Sequence, residues 1–292
     1  MSMDDVLDES DKIITGGFAT VGRYAVIGHP IAQSRSPELH ERWFRGNGLP
    51  GTYEAVDIDP GELIARAPSL PFEFAGINVT APHKVSILGY VDRIDRQAEA
   101  AGAANLVYRD KDKVWTAGNT DGLGMLRALE EATGETSLGK DIVILGAGGA
   151  ARAIGAALRT VGIGSLVFVN RSLESAEAVK TAVGGTGVLP LHPDTLQDLE
   201  VSADLLINTL PPAADKTLAA MDLEPLASHA VVADINYFVD EPILLRRAES
   251  LGLMTVHGRG MFLWQAAISF QAWTGTEPDL DMGRRLLGFP DW

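Results

Sequence analysis

The chain has 292 residues, 46% of them hydrophobic and 22% charged, which is long for one compact domain and comfortable for two. Its formal charge is −15 with both signs spread along the chain, which argues against a nucleic-acid partner, because phosphate binding needs clustered Lys and Arg. Zero cysteines exclude disulfides, thiolate catalysis and Cys-based metal sites, and no apolar run approaches the ~20 residues of a membrane helix.

In chain order, "MSMDDVLDESDKIITGG" opens an acidic stretch without a signal-peptide core, read as a flexible tail over residues 1–22 of a cytoplasmic protein. "RYAVIG" then reads as a strand. "SPELHERWFRGNG" reads as a helix with Ser36 as N-cap, Pro37 in its first turn and glycine past its end. "TYEAVDI" and "FAGINV" are further strands, separated by a helix around "GELIARA". In "AGINVTAPHKVSIL", Pro82 predicts a helix start, which places Lys84 in the first turn. A cation there is disfavoured by ~0.3–1 kcal/mol, and Ile87, Leu88 and Val91 at i+3, i+4 and i+7 put Lys84 on the stripe that should be buried. A charge so placed asks for a function.

"AEAAGAANLVYRDKDKVWTAGNTDG" predicts a hairpin turning at Asp110 to Lys113, followed by a helix in "GLGMLRALEEATG". From "DIVILGAGGAARAIGAALRTVG" onward the rhythm is regularly β/α, with "SLVFVN", "DLLINT", "AVVADI" and "MTVH" as strands. Two helices, "MFLWQAAISFQAWTG" and "DLDMGRRLLGF", end the chain. The fold class is α/β in two domains, parted near Gly118 to Asp121.

"DIVILGAGGAARA" carries Gly146, Gly148 and Ala151 in G-x-G-x-x-A spacing between a strand and a helix. The first glycine permits the tight turn, the second lets a pyrophosphate approach the backbone, and the alanine lets helix and strand pack closely. The plainer alternative is a glycine-rich turn with no ligand. After the next strand, an NAD site would carry Asp or Glu for the ribose 2′-hydroxyl. Asn170 and Arg171 stand there instead, and a guanidinium suits a 2′-phosphate, which favours NADP. The missing acidic residue also weighs against a methyltransferase. The plainer alternative for Arg171 is a solvated surface arginine.

Polar residues interrupt apolar runs at several places: Ser34 and Ser36 after the first strand, Thr80 before Lys84, Asn105 in "AGAANLVY", and Gln265 with Met261 at i−4 and Ile268 at i+3. Ser36 and Thr80 are also good N-caps, and Asn105 or Gln265 can satisfy backbone groups. Together they suit a pocket for a small polyol. Asp121 is either the N-cap of its helix or a partner for Lys84, a pair able to hold a hydroxyl and pass a proton. The six histidines show no close metal spacing, and no metal is expected. Neither a G-x-S-x-G elbow nor a Walker lysine is present.

Taken in order, these fragments resemble the shikimate dehydrogenase family. "YAVIGHPIAQSRSPELH" is similar to its opening strand and serine loop, and "GINVTAPHK" to its lysine motif. "GAANLV" and "GNTDG" resemble its asparagine and aspartate motifs, "GAGGAARA" and "NRS" its cofactor loop, "ADINY" its tyrosine strand, and "GRGMFLWQAA" its glutamine helix. The resemblance implies a substrate domain over 23–120 and a Rossmann-like NADP domain over 121–257, with 258–292 returning to the first domain. It makes Lys84 and Asp121 the catalytic pair, and Ser34, Ser36, Thr80, Asn105, Tyr237 and Gln265 the substrate contacts. Gly146, Ala147, Gly148, Gly149, Ala150, Asn170, Arg171, Asn208, Thr209, Leu210, Gly258 and Met261 would meet the cofactor. The implied reaction is reversible, NADPH-dependent reduction of 3-dehydroshikimate to shikimate in aromatic amino-acid biosynthesis, by a monomer or homodimer.

There are departures. Gln33 stands for the usual histidine of the serine loop and Glu41 for a common asparagine. In "NRSLESA" Ser175 occupies the place of a second basic residue, with Glu174 beside it, so one cation grips a 2′-phosphate and NAD stays open. "NTLPP" replaces the usual Asn-Ala-Thr-Ser run. The alternatives are a quinate/shikimate dehydrogenase using NAD and, more remotely, a non-catalytic dinucleotide or metabolite sensor. Retention of both Lys84 and Asp121 argues against the sensor.

Overall fold

The computed structural model describes residues 22–135 and 139–289; the acidic tail and the last three residues lie outside them. The chain divides into two compact units. Among the described residues the first comprises 22–120 and 263–289, the second 121–135 and 139–262.

The first unit is built on a six-stranded sheet in the order β2-β1-β3-β5-β6-β4. Its strands are β1 (Gly22–Gly28), β2 (Gly51–Asp57), β3 (Gly76–Val79), β4 (Arg93–Ile94), β5 (Leu106–Arg109) and β6 (Trp115–Gly118). β1 pairs in parallel with β2 and β3, while β5 is antiparallel to both β3 and β6. β6 runs antiparallel to β5 because the hairpin turn between them, closed by Lys113 N–H on the Asp110 carbonyl at 2.8 Å, is far too short for a parallel crossover. Alternation along β1 sends Ala25 and Ile27 to a core shared with Leu70, Ile77, Val107 and Trp115. The opposite face receives Tyr24, which stacks on Phe44 of the Ser36–Gly46 helix at 5.0 Å and lies 5.1 Å from Trp273 of the Gly258–Thr274 helix. Hydrogen bonds from Trp273 Nε1 to the Val107 carbonyl and from Trp43 Nε1 to the Asp279 carbonyl fasten residues 263–289 onto this sheet and onto the Ser36–Gly46 helix.

The helix expected at Pro82 is absent. Ala81 to Val85 run through successive turns that lead into a short 3-10 helix, Ser86–Tyr90. The reason is a diverted acceptor: the Lys84 carbonyl takes the Ala104 N–H at 2.7 Å, and Leu88 N–H bonds to Val85 instead. Ile87 is nevertheless buried, with Leu88 and Val91 packed on the same core. The apolar stripe thus exists without an α-helix to carry it, and the dipole argument about Lys84 falls away. The Ser36 cap is corrected too. Ser36 is the first helical residue, Arg35 takes the N-cap position, and no side chain caps it. Thr80 caps no helix either.

The second unit has six strands, all parallel, in the order β12-β11-β10-β7-β8-β9. They are β7 (Ile142–Leu145), β8 (Leu166–Asn170), β9 (Gly187–Pro190), β10 (Leu205–Asn208), β11 (Val231–Asp234) and β12 (Met254–His257). Renumbered within the unit this is 6-5-4-1-2-3, the doubly wound dinucleotide-binding order, with its switch point between β7 and β10. Central strands are buried on both faces and read as continuous apolar runs; β9 is a half-exposed edge ending in proline, and its weak pattern escapes sequence reading.

Candidate active site

In the first unit, Thr80, Lys84 and Asn105 lie together beyond the C-terminal ends of β1 and β3. Gly28 ends β1 against the Thr80 methyl, and His29 N–H bonds to the Ala81 carbonyl at 3.0 Å. The loop from His29 then leads to Ser34, whose Oγ accepts the Ser36 N–H at 3.3 Å. Next along the edge, the Lys84 backbone receives Ala104, so Lys84 is anchored one residue from Asn105.

Asn105 is buried and hydrogen-bonded, as an amide inside an apolar run must be. Its Oδ1 accepts the Thr120 N–H at 2.7 Å. Its Nδ2 donates to Thr120 Oγ1 at 2.9 Å and lies 3.4 Å from Gln265 Oε1. The fold brings Asn105 and Gln265 together across 160 positions of sequence. The backbone-satisfying alternative is also realised for Asn105, through Thr120. Sequence reasoning does not single out Asn78, yet it is the hub beneath this pair: it accepts Tyr53 O–H at 2.8 Å and donates to the Asn105 carbonyl and Ser269 Oγ, both at 3.0 Å. The available signal was an amide within the buried run "GINV". Two family departures have work inside the same unit. Glu41 Oε1 accepts the Tyr53 N–H at 2.8 Å, and Gln33 Nε2 donates to the Pro30 carbonyl at 3.0 Å.

Asp121 is buried and opens the Asp121–Thr133 helix as a helical residue, where a carboxylate is favoured by the dipole. It belongs to the second unit and Lys84 to the first. Tyr237 also lies in the second unit, its ring stacked on Phe262 at 4.2 Å.

The glycine turn of the second unit follows β7. Gly146 has φ +114°, a conformation reserved for glycine, and Thr209 Oγ1 occupies the space a Cβ would need. Thr209 is held there by its N–H and Oγ1, which both donate to the Leu145 carbonyl, at 2.8 and 2.7 Å. Gly148 precedes the Gly149–Thr160 helix with open space above it, and Ala151 is fully buried. An exposed helix N-terminus behind an unobstructed glycine fits a pyrophosphate, so Gly146 to Ala150 could hold a dinucleotide. At the end of β8, Asn170 Nδ2 donates to the Ser172 carbonyl at 3.0 Å and Ser172 caps the next helix, leaving Arg171 exposed. Ser175, in place of a second basic residue, bonds Ser172 Oγ at 3.1 Å.

Gly258 is required by close approach: a Cβ there would lie 2.5 Å from the Ile235 oxygen. Beside it His257 donates from Nε2 to the Val239 carbonyl at 2.8 Å and accepts the Arg259 N–H on Nδ1 at 3.2 Å, which assigns it the neutral tautomer. Burial, and the Arg259 charge, hold its pKa below the ordinary histidine value. Among the described residues no group of three or more His, Asp and Glu is arranged to hold a metal, and no helix is long and apolar enough to cross a membrane.

Residues 26–107 match the family model described as shikimate dehydrogenase substrate binding domain, and residues 258–286 that of the shikimate 5′-dehydrogenase C-terminal domain. A shikimate dehydrogenase (NADP(+)) of an Exiguobacterium species is 40% identical over 266 residues, 90% of this chain and 97% of its own. Among solved structures, the Thermus thermophilus shikimate 5-dehydrogenase in complex with NADP(H) and shikimate superposes with TM-score 0.79 at 32% identity, covering 91% of this chain and 98% of that one. A 5-ketofructose reductase of a Gluconobacter strain also has TM-score 0.79, at 29% identity, over 93% and 99%. Polar network, glycine turn, strand order and full-length similarity converge, and the chain belongs to the shikimate dehydrogenase family.

Proposed function

We propose that the protein catalyses the reversible NADPH-dependent reduction of 3-dehydroshikimate to shikimate, in aromatic amino-acid biosynthesis. The observation that carries this reading is the Asn105–Gln265 pair, two amides meeting at 3.4 Å on a buried hydroxyl-lined edge. Amide and hydroxyl groups of that kind discriminate a polyol from an apolar ketone, because a ligand lacking hydroxyls leaves them unpaired.

When bound, the dinucleotide supplies the hydride delivered to the carbonyl carbon. Lys84 holds the substrate oxygen and delivers or stabilises the proton it gains, with Asp121 as its partner. Ser34 and Ser36 hold the carboxylate, and Thr80, Asn105, Gln265 and Tyr237 the hydroxyls. Gly146, Ala147, Gly148, Gly149 and Ala150 receive the pyrophosphate, Arg171 and Asn170 the 2′-phosphate end, and Asn208, Thr209, Leu210, Gly258 and Met261 the nicotinamide side. The exposed guanidinium of Arg171 supports NADP over NAD. The acidic charge supports a protein without nucleic-acid partners.

The test is a purified-protein assay following nicotinamide absorbance with 3-dehydroshikimate and NADPH or NADH, and with shikimate, quinate and 5-ketofructose as separate arms. Rapid NADPH oxidation with 3-dehydroshikimate is expected. No turnover with either cofactor rejects the reading, and faster turnover of 5-ketofructose reassigns the substrate.

A further inference from the structure

Three neighbouring strands of the second unit end on one polar row: Asn208 on β10, Asp234 on β11 and His257 on β12, aligned in register. Asp234 is almost completely buried. Its carboxylate accepts three N–H groups, from Asn208 Nδ2 at 2.7 Å, Asn236 N at 2.9 Å and Asn236 Nδ2 at 2.7 Å. Both asparagines then converge on Leu210. Asn208 Oδ1 accepts its N–H at 3.1 Å, and Asn236 Nδ2 donates to its carbonyl at 3.0 Å. Both backbone polar groups of one residue are therefore held by side chains that answer to a single carboxylate. That residue borders the glycine turn: its Cδ2 would lie 3.5 Å from a Cβ placed on Gly146.

A buried carboxylate is a costly way to tie two loops, since its desolvation offsets most of what its hydrogen bonds contribute to stability. What it provides is geometry. Three donors must point at it, so the loops after β10 and β11 have one mutual arrangement.

We propose that Asp234 is a positioning residue for the dinucleotide: acting through Asn208 and Asn236, it fixes the Leu210 backbone beside the Gly146–Gly148 turn. The proposal rests on the dinucleotide reading of that turn. It extends the nicotinamide-side assignment of Asn208 to Leu210 from a set of contacts to the group that orders them.

Asp234→Asn keeps the shape but presents an amide where N–H donors converge. In the ligand-free protein, hydrogen exchange at the Leu210 amide should accelerate at least tenfold. The Kd for NADP+, by isothermal titration calorimetry, should weaken about tenfold, and the KM for NADPH should rise more than kcat falls. Asn236→Ala, at the rim of the network, removes the tie to the Leu210 carbonyl and one of the three donors to Asp234, and should weaken NADP+ about threefold. A folded Asp234→Asn protein with wild-type Leu210 exchange and NADP+ affinity overturns the proposal, as does loss of kcat with affinity intact. If Asp234→Asn does not fold, unchanged exchange and affinity in Asn236→Ala overturn it. Wild-type protein that binds neither NADP+ nor NAD+ rejects the dinucleotide reading itself, a result distinct from all of these.

Discussion

Beneath the strand ends of the first unit, Asn78, Asn105, Thr120, Gln265 and Ser269 exchange amide and hydroxyl hydrogen bonds among neutral partners. The second unit buries a carboxylate, Asp234, ringed by three N–H donors. Their histidines differ in parallel. His40 is enclosed by aromatic rings, stacked on Tyr53 at 4.4 Å, and neither ring nitrogen has a hydrogen-bond partner among the described residues. His257 is half-buried with both nitrogens engaged. A neutral network leaves donors and acceptors to be shared with a polar ligand, whereas a charged hub uses its acceptors on the protein and so serves order. The first unit has the character of a recognition surface and the second that of a scaffold.

The difference can be broken most severely by acid. Burial pushes the His40 imidazole down to about 3. The unfolded chain therefore takes up this proton near pH 6.5 and the folded one does not. Stability is complete above pH 6.5 and falls as pH drops, by about 4 kcal/mol at pH 3 for this group. Urea unfolding at pH 7, 5 and 4 should show a steeper loss for wild type than for His40→Leu. Parallel curves would remove His40 from the acid sensitivity. His257 acts with the same sign, because its pKa is also lowered.

Lys84→Ala should lower kcat by about 10³-fold with KM within a few-fold, in the range of a lost general acid. Steady-state kinetics decide it, and an effect confined to KM would make Lys84 a binding group only. Asn105→Ala leaves the Thr120 N–H without its acceptor and should cost about 1–3 kcal/mol of stability. It should also lower kcat/KM for 3-dehydroshikimate about 100-fold, with the KM for NADPH unmoved. A matching loss on the cofactor side would erase the contrast between the units. Arg171→Ala is expected to have the smallest effect, about a tenfold rise in the KM for NADPH with NADH unaffected, because one exposed charge contributes about 1–2 kcal/mol. Equal changes for both cofactors would place Arg171 away from the 2′-phosphate.

Much of this was legible in order along the chain. The apolar runs of "RYAVIG", β7, β10 and β11 and the glycine spacing after β7 are local signals with local causes, and strand, turn and helix follow from them. Misplaced polar residues marked Asn105 and Gln265 for the same reason: an amide in an apolar run needs a partner, wherever that partner lies. The Pro82 segment reads locally as a helix, but a carbonyl taken by Ala104, twenty residues away, keeps it as turns. Asn78 and Asp234 are inconspicuous in short buried strands, and become hubs only when packing brings Tyr53 and Ser269 to the one and Asn208 to the other.

The amino-acid sequence by itself determined the elements, the doubly wound rhythm of the second half and the residue types able to bind a polyol and a dinucleotide. Tertiary structure alone decided which of those residues share hydrogen bonds. Backbone conformation and hydrophobic periodicity act over a few residues, whereas a buried donor is satisfied by whatever acceptor the packed sheet brings within about 3 Å of it, at any distance along the chain.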